Sequence, residues 1–125
     1  MKKIKVCIIG CGMIARSAHI PAYLANGGFE IAAVCDNIES SAKGVCDKFG
    51  IARYYTDATQ MLETEKPEVV SVCAPNMMHK KYVMSALEHG ANVLCEKPLA
   101  LTLCDAEEMF LTAKKNNRIL MACQT

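Results

Sequence analysis

No run in this sequence is apolar for long enough to cross a membrane; the apolar runs are four to seven residues long, against the roughly 18 that a spanning helix needs. There is no excess of charge either. Fourteen Lys and Arg stand against 13 Asp and Glu, for a net charge of +1, so nothing selects for a nucleic-acid backbone or an anionic membrane surface. The eight cysteines contain no C-x-x-C pair and no regular spacing, which argues against a zinc site and a disulfide framework. Cys7, Cys35, Cys73, Cys95 and Cys123 instead fall in or at the end of apolar runs, where a thiol acts as a small hydrophobe. The expectation is free thiols, no metal and a reducing cytoplasm. Linkers, repeats and low-complexity segments are missing as well, so the 125 residues read as one domain.

What is present is a globular balance, 52% hydrophobic and 22% charged, enough to build a core without staples. The opening MKKIK followed by VCIIGCGMIA has the charge and apolarity of a short signal peptide, and Ile8-Ile9-Gly10-Cys11 looks like a lipoprotein cleavage box. The glycines interrupt that run and Arg16 ends it, so a strand and a turn account for it better.

Short, nearly continuous apolar runs recur at Ile4–Ile9, Phe29–Cys35, Val69–Cys73, Asn92–Cys95 and Ile119–Cys123, with a weaker candidate at Arg53–Thr56. Such runs suit parallel strands covered on both faces. Between them the pattern predicts helices over 12–26, 38–49, 57–65, 77–89 and 102–116. Gly27-Gly28, Gly50 and Gly90 mark stops. Asp57-x-x-Gln60 and Thr102-x-x-Asp105 mark starts. Pro21 should kink or divide the first helix, because it lacks an N–H and its ring crowds the preceding turn. Strand alternating with helix throughout predicts an α/β fold. It is a doubly wound, six-stranded parallel sheet of Rossmann type with helices on both faces.

After the first strand comes Gly10-Cys11-Gly12-Met13-Ile14-Ala15, a G-x-G-x-x-A. The first glycine allows a tight turn, the second lets a pyrophosphate approach the backbone, and the small third residue lets helix and strand pack closely. The helix start offers N–H groups and partial positive charge to phosphate. Asp36 closes the second strand roughly two dozen residues beyond Gly12, where an acid accepts hydrogen bonds from an adenosine ribose. Its charge would repel a 2′-phosphate, and its neighbour is Asn37, not an arginine. That favours NAD over NADP. A site for S-adenosylmethionine shares this turn and acid, but the strand count suits a dinucleotide better.

In an open parallel sheet ligands lie beyond the carboxyl ends of the strands. The later runs exit there as Ala74-Pro75-Asn76-Met77-Met78-His79, Glu96-Lys97-Pro98 and Gln124-Thr125. With G-C-G-M-I-A, Asp36, A-P-N-M-M-H and C-E-K-P-L-A in place, the whole chain resembles the N-terminal domain of the glucose–fructose oxidoreductase and inositol dehydrogenase family. The resemblance implies hydride transfer between a nicotinamide cofactor and a sugar, polyol or related hydroxyl or carbonyl compound. It implies that Lys97 is catalytic, holding and polarising the substrate oxygen. The implied cofactor contacts are Gly10, Gly12, Met13, Ile14, Asp36, Asn37, Ala74, Pro75, Asn76, His79, Glu96, Lys97 and Gln124. It also implies a cis peptide before Pro98, a homo-oligomer, and a second, largely antiparallel domain that builds the substrate pocket and lies outside this chain. Ala74 replaces the threonine or serine frequent in the family, so a hydroxyl contact is lost. His19 and His89 read as surface residues. Two alternatives remain open: a dinucleotide-binding regulatory module without catalysis, and a relative that uses NAD transiently to cleave glycosidic bonds.

Overall fold

Each apolar run of the sequence is a strand in the computed structural model, which describes residues 2–123. The strands are β1 (Ile4–Ile9), β2 (Phe29–Cys35), β3 (Arg53–Tyr55), β4 (Val69–Val72), β5 (Asn92–Cys95) and β6 (Leu120–Ala122). They form one sheet in the order β3-β2-β1-β4-β5-β6, and every neighbouring pair is parallel. Strand order reverses between β1 and β4, which is the switch point of a doubly wound sheet.

The helices are α1 (Ile20–Ala25), α2 (Glu39–Phe49), α3 (Ala58–Glu65), α4 (His79–Glu88) and α5 (Leu103–Lys115). Their ends follow local chemistry. Asp57 accepts from the N–H groups of Thr59 and Gln60 at 2.9 and 3.3 Å, and Thr102 accepts from Asp105 N–H at 3.1 Å, satisfying donors that a helix start leaves unpaired. Gly50 closes α2 in the left-handed region at φ 70°.

The first helical stretch differs from a regular α-helix. Pro21 sits in the opening turn of α1, and a π-helical turn, Ala15–His19, precedes it. A wider turn makes room for a ring that would otherwise meet the preceding carbonyl. The stretch is thus divided, and the π turn carries His19.

Two apolar layers enclose the sheet. On one face Val6, Ile8 and Val34 pack with Ala15, Ile20, Ala42 and Val45, from the first helical stretch and α2. On the other, Cys7, Ile9, Val70, Val72, Val93 and Cys95 pack with Met61, Leu62, Val83, Leu87 and Met109, from α3, α4 and α5. Burying each large side chain contributes about 2 kcal/mol before entropy is counted. On the β5–β6 half of the first face, the sheet meets residues of the first helical stretch, among them Ala18, Ala22 and Tyr23. There Leu94 and Met121 line an open apolar groove. All eight cysteines are free thiols, and no helix among the described residues is long and apolar enough to cross a membrane.

Candidate functional site

The register of the sheet puts the last residues of all six strands in one row. Tyr55 pairs with Cys35, Cys35 with Ile9, Ile9 with Val72, Val72 with Cys95, and Cys95 with Ala122. The ladder runs one residue further. Gly10 N–H donates to Cys35 O at 2.8 Å, Asp36 N–H to Tyr55 O at 3.1 Å, Cys73 N–H to Ile9 O at 2.7 Å, and Glu96 N–H to Val72 O at 2.9 Å. The polar residues that follow the apolar runs therefore share one rim.

Gly10 occupies a place no other residue fits. Its φ is +98°, and a Cβ there would lie 2.6 Å from the carbonyl carbon of Cys73 and 2.7 Å from Ala74 N. The turn after β1 thus presses against the exit of β4. Gly12 is the opposite case: a Cβ there would meet nothing within 4 Å. The turn is open on that side, while Ala15, fully buried, packs the following helical turn onto the sheet. Met13 and Ile14 are exposed at the helix entrance, Met13 by 84%.

The Asp36 carboxylate closes the turn from β2. Its Oδ2 accepts from Cys11 N–H and its Oδ1 from Ile38 N–H, both at 2.8 Å. Each oxygen keeps a further acceptor position. Arg16 supports the same loop, its Nε donating to Cys11 O at 3.0 Å and its Nη2 to Ser41 O at 3.3 Å. Next to the acid is a cleft of about 70 Å³ walled by Gly10, Asp36, Asn37, Ala74, Pro75, Met78 and Tyr82. It adjoins a larger one of about 370 Å³ that shares Asn37 and Tyr82. Sequence reasoning did not single out Met78 and Tyr82. Their i, i+4 spacing, with Met78 just before α4 and Tyr82 in its first turn, was the available signal.

Beyond β5, Glu96 is held on several sides. His19 Nε2 donates to its Oε2 at 2.6 Å, and the backbone N–H of Lys97 and the thiol of Cys123 also point to the carboxylate. The bond from His19 is the main cause that keeps the Glu96 carboxyl below its usual range. This corrects the reading of His19 as a surface residue. It is 7% exposed because the π turn directs it onto a carboxylate that the sequence places 77 residues away. His89 is exposed, with Nδ1 2.7 Å from Ser85 O. One ligand atom each of His19, Glu96 and Cys123 lies within 4.8 Å of the others. Burial and the Glu96 charge push the Cys123 thiol up. The rim thiols are similar. Burial, with the Asp36 charge behind it, pushes Cys11 and Cys35 up to about 12, so neither is a thiolate nucleophile.

Lys97 is exposed at the rim and its peptide bond to Pro98 is cis. Pro75 and Asn76 are exposed at the exit of β4, and Ala74 is buried. His79 is not on the rim surface. It is 1% exposed, with Nδ1 2.7 Å from Pro98 O and Nε2 2.8 Å from Ala74 O. The reading that its side chain borders a cofactor is corrected: the ring lies beneath the rim and is occupied by two backbone carbonyls. Gln124 lies outside the described residues.

These groups fit a dinucleotide. The open side of Gly12 leaves space for a phosphate next to N–H groups, and Asp36 offers acceptors at the edge of the neighbouring cleft. A family model described as an oxidoreductase family with an NAD-binding Rossmann fold matches residues 4–124. The chain belongs to this family. Family members similar to it include a D-glucoside 3-dehydrogenase from Escherichia coli K12, 42% identical over 117 residues. That alignment covers 94% of this chain and 33% of the relative. An inositol 2-dehydrogenase from Salmonella typhimurium LT2 is 36% identical over 118 residues, which cover 92% of this chain and 34% of the relative. Among solved structures, an Agrobacterium radiobacter oxidoreductase in complex with NAD+, L-tartaric acid and magnesium superposes with a TM-score of 0.92 at 32% identity, covering 97% of this chain and 35% of that one. A 3-ketoreductase from Actinomadura kijaniata in complex with NADP superposes with a TM-score of 0.90 at 30% identity, covering 97% and 37%. The chain spans about a third of the length of these relatives. As a member of the family it is a nicotinamide-dinucleotide-binding domain.

Proposed function

We propose that this chain is the dinucleotide half of an oxidoreductase acting on a hydroxyl or carbonyl carbon of a sugar, polyol or related compound. The observation that carries the reading is the single rim on which the glycine turn, Asp36 and Glu96-Lys97 lie. The turn at Gly10–Ile14 takes the pyrophosphate on N–H groups at a helix start. Asp36 and Asn37 take the adenosine ribose, and the cleft by Met78 and Tyr82 takes the adenine. Ala74, Pro75 and Asn76 border the cofactor where β4 ends. Asp36 favours NAD over NADP, because a 2′-phosphate would meet a carboxylate that two backbone N–H groups already hold in place.

A bound nicotinamide supplies the hydride chemistry. The protein's part falls to the tripeptide after β5. Glu96, kept ionised by His19, lines the nicotinamide ribose and anchors the turn. Lys97 presents an ammonium to the substrate oxygen, where it stabilises negative charge or gives and takes the proton. The walls of the substrate pocket come from a second domain, and the assembled enzyme is a homo-oligomer. The names of the relatives, dehydrogenases of a glucoside and of inositol, support a polyhydroxylated substrate.

Calorimetric titration with NADH, NADPH and S-adenosylmethionine tests the cofactor. NADH should bind most tightly; binding of S-adenosylmethionine with none of NADH would overturn the reading. In a protein that includes the substrate domain, Lys97→Ala should abolish turnover and spare NADH binding. Unchanged turnover would remove Lys97 from the mechanism and leave a regulatory module as the better description.

A further inference from the structure

His79 opens α4 and is almost wholly buried, yet both of its ring nitrogens face main-chain oxygens. Nδ1 meets Pro98 O, just beyond Lys97 on the turn that follows β5. Nε2 meets Ala74 O, where β4 ends. Carbonyl oxygens only accept and a neutral imidazole carries one ring hydrogen; with that hydrogen on Nδ1 the ring donates to Pro98 O, and Nε2 only packs against Ala74 O. One imidazole thus spans the exits of two neighbouring strands. Ala74 O belongs to the segment pressed against Gly10, where a Cβ would be 2.7 Å from Ala74 N. Pro98 O belongs to the segment that displays Lys97. The ring is a strut between the phosphate turn and the lysine turn.

We propose that His79 is a positioning residue for the nicotinamide end of the site. Through Pro98 O it sets where the Lys97 turn stands relative to the glycine turn, without touching cofactor or substrate. The proposal rests on the nicotinamide reading above. The two contacts differ in kind: Nε2 packs against Ala74 O at the exit of β4, and the N–H of Nδ1 holds the lysine turn.

Isosteric amides separate them. The amide nitrogen of asparagine stands near the position of Nδ1, and that of glutamine near Nε2. His79→Asn therefore keeps the bond to Pro98 O, and His79→Gln loses it, turning its amide toward Ala74 O instead. The measurement is the affinity of the wild-type chain and of the Asn, Gln and Leu variants for NADH and for ADP-ribose, which lacks the nicotinamide. Loss of one buried hydrogen bond should weaken NADH binding by about tenfold in the Gln and Leu variants. The Asn variant should stay near wild type, and ADP-ribose should bind all four alike. Equal losses for both ligands, or an Asn variant as weak as the Gln variant, would overturn the proposal and leave His79 a purely structural residue. If wild type binds neither ligand, the cofactor reading fails. The strut is then judged by amide hydrogen exchange at Lys97 and Leu99, which should accelerate in the Gln variant and not in the Asn variant; equal rates would overturn it. A long-range 1H–15N spectrum of wild type provides a check that needs no variant. Hydrogen on His79 Nδ1 is expected, and a bare Nδ1 would contradict the strut.

Discussion

His19 Nε2 and Glu96 Oε2 stand 2.6 Å apart and tie the π turn after β1 to the acid that follows β5. The bond crosses from the first helical stretch to a strand on the far side of the switch point. It fixes the direction of a carboxylate whose next residue is Lys97.

Removing the histidine should loosen that corner. His19→Leu is expected to cost about 1–2 kcal/mol in urea unfolding, the scale of a lost hydrogen bond to a charged group. His19→Gln, whose amide nitrogen falls near Nε2, should recover most of it. Because the Glu96 carboxyl is held below its usual range, the bond stabilises the fold above the ordinary carboxylate range and fades as pH falls below it. The gap between wild type and the Leu variant should close in acid.

The two glycines of the turn should respond in opposite ways. Gly10→Ala puts a Cβ against the backbone of Cys73 and Ala74 at a φ of +98°, and should destabilise by about 3 kcal/mol or prevent folding. Gly12→Ala meets nothing within 4 Å. It should melt near wild type but bind NADH more weakly, because its methyl stands where the phosphates approach. Circular dichroism melts and NADH fluorescence titration separate the two effects.

Asp36→Asn removes the charge that opposes a 2′-phosphate. Affinity for NADH should fall by about tenfold while that for NADPH holds or rises, so the preference narrows. An unchanged NADH-to-NADPH ratio would remove Asp36 from cofactor selection.

Glu65, the last residue of α3, is a buried carboxylate that accepts from Arg53 at 2.6 and 2.9 Å and from the Tyr55 hydroxyl at 2.6 Å, with Lys5 at 3.4 Å. The Arg53 guanidinium is the main cause that brings it down from 4.5 to about 2. Its contribution is complete above the unfolded value and is lost between pH 4.5 and about 2. Glu65→Gln should cost about 2 kcal/mol at neutral pH, and the deficit should shrink through that window in urea titrations.

The strands were legible because burial on both faces leaves continuous apolar runs, and the turn because Gly10 and Gly12 follow one of them. Asp36 was legible from its place after β2. The two buried histidines were not. His19 is internal because of Glu96, and His79 because of Pro98 O, partners 77 and 19 residues away, which no local pattern reveals. Pro21 announced a divided helix but not that the division would be a π turn aimed inward. Tyr82 needed the packing of α4 beside the turn after β2 to appear as a wall of the cleft.

Backbone amide shifts recorded while the chain is titrated with NADH, and separately with ADP-ribose, test the single-rim account most directly. The account expects both ligands to move Gly12 and Asp36, and NADH alone to move Lys97. Shifts confined to the α5 surface around Leu103 and Phe110, or none at saturating ligand, would contradict it.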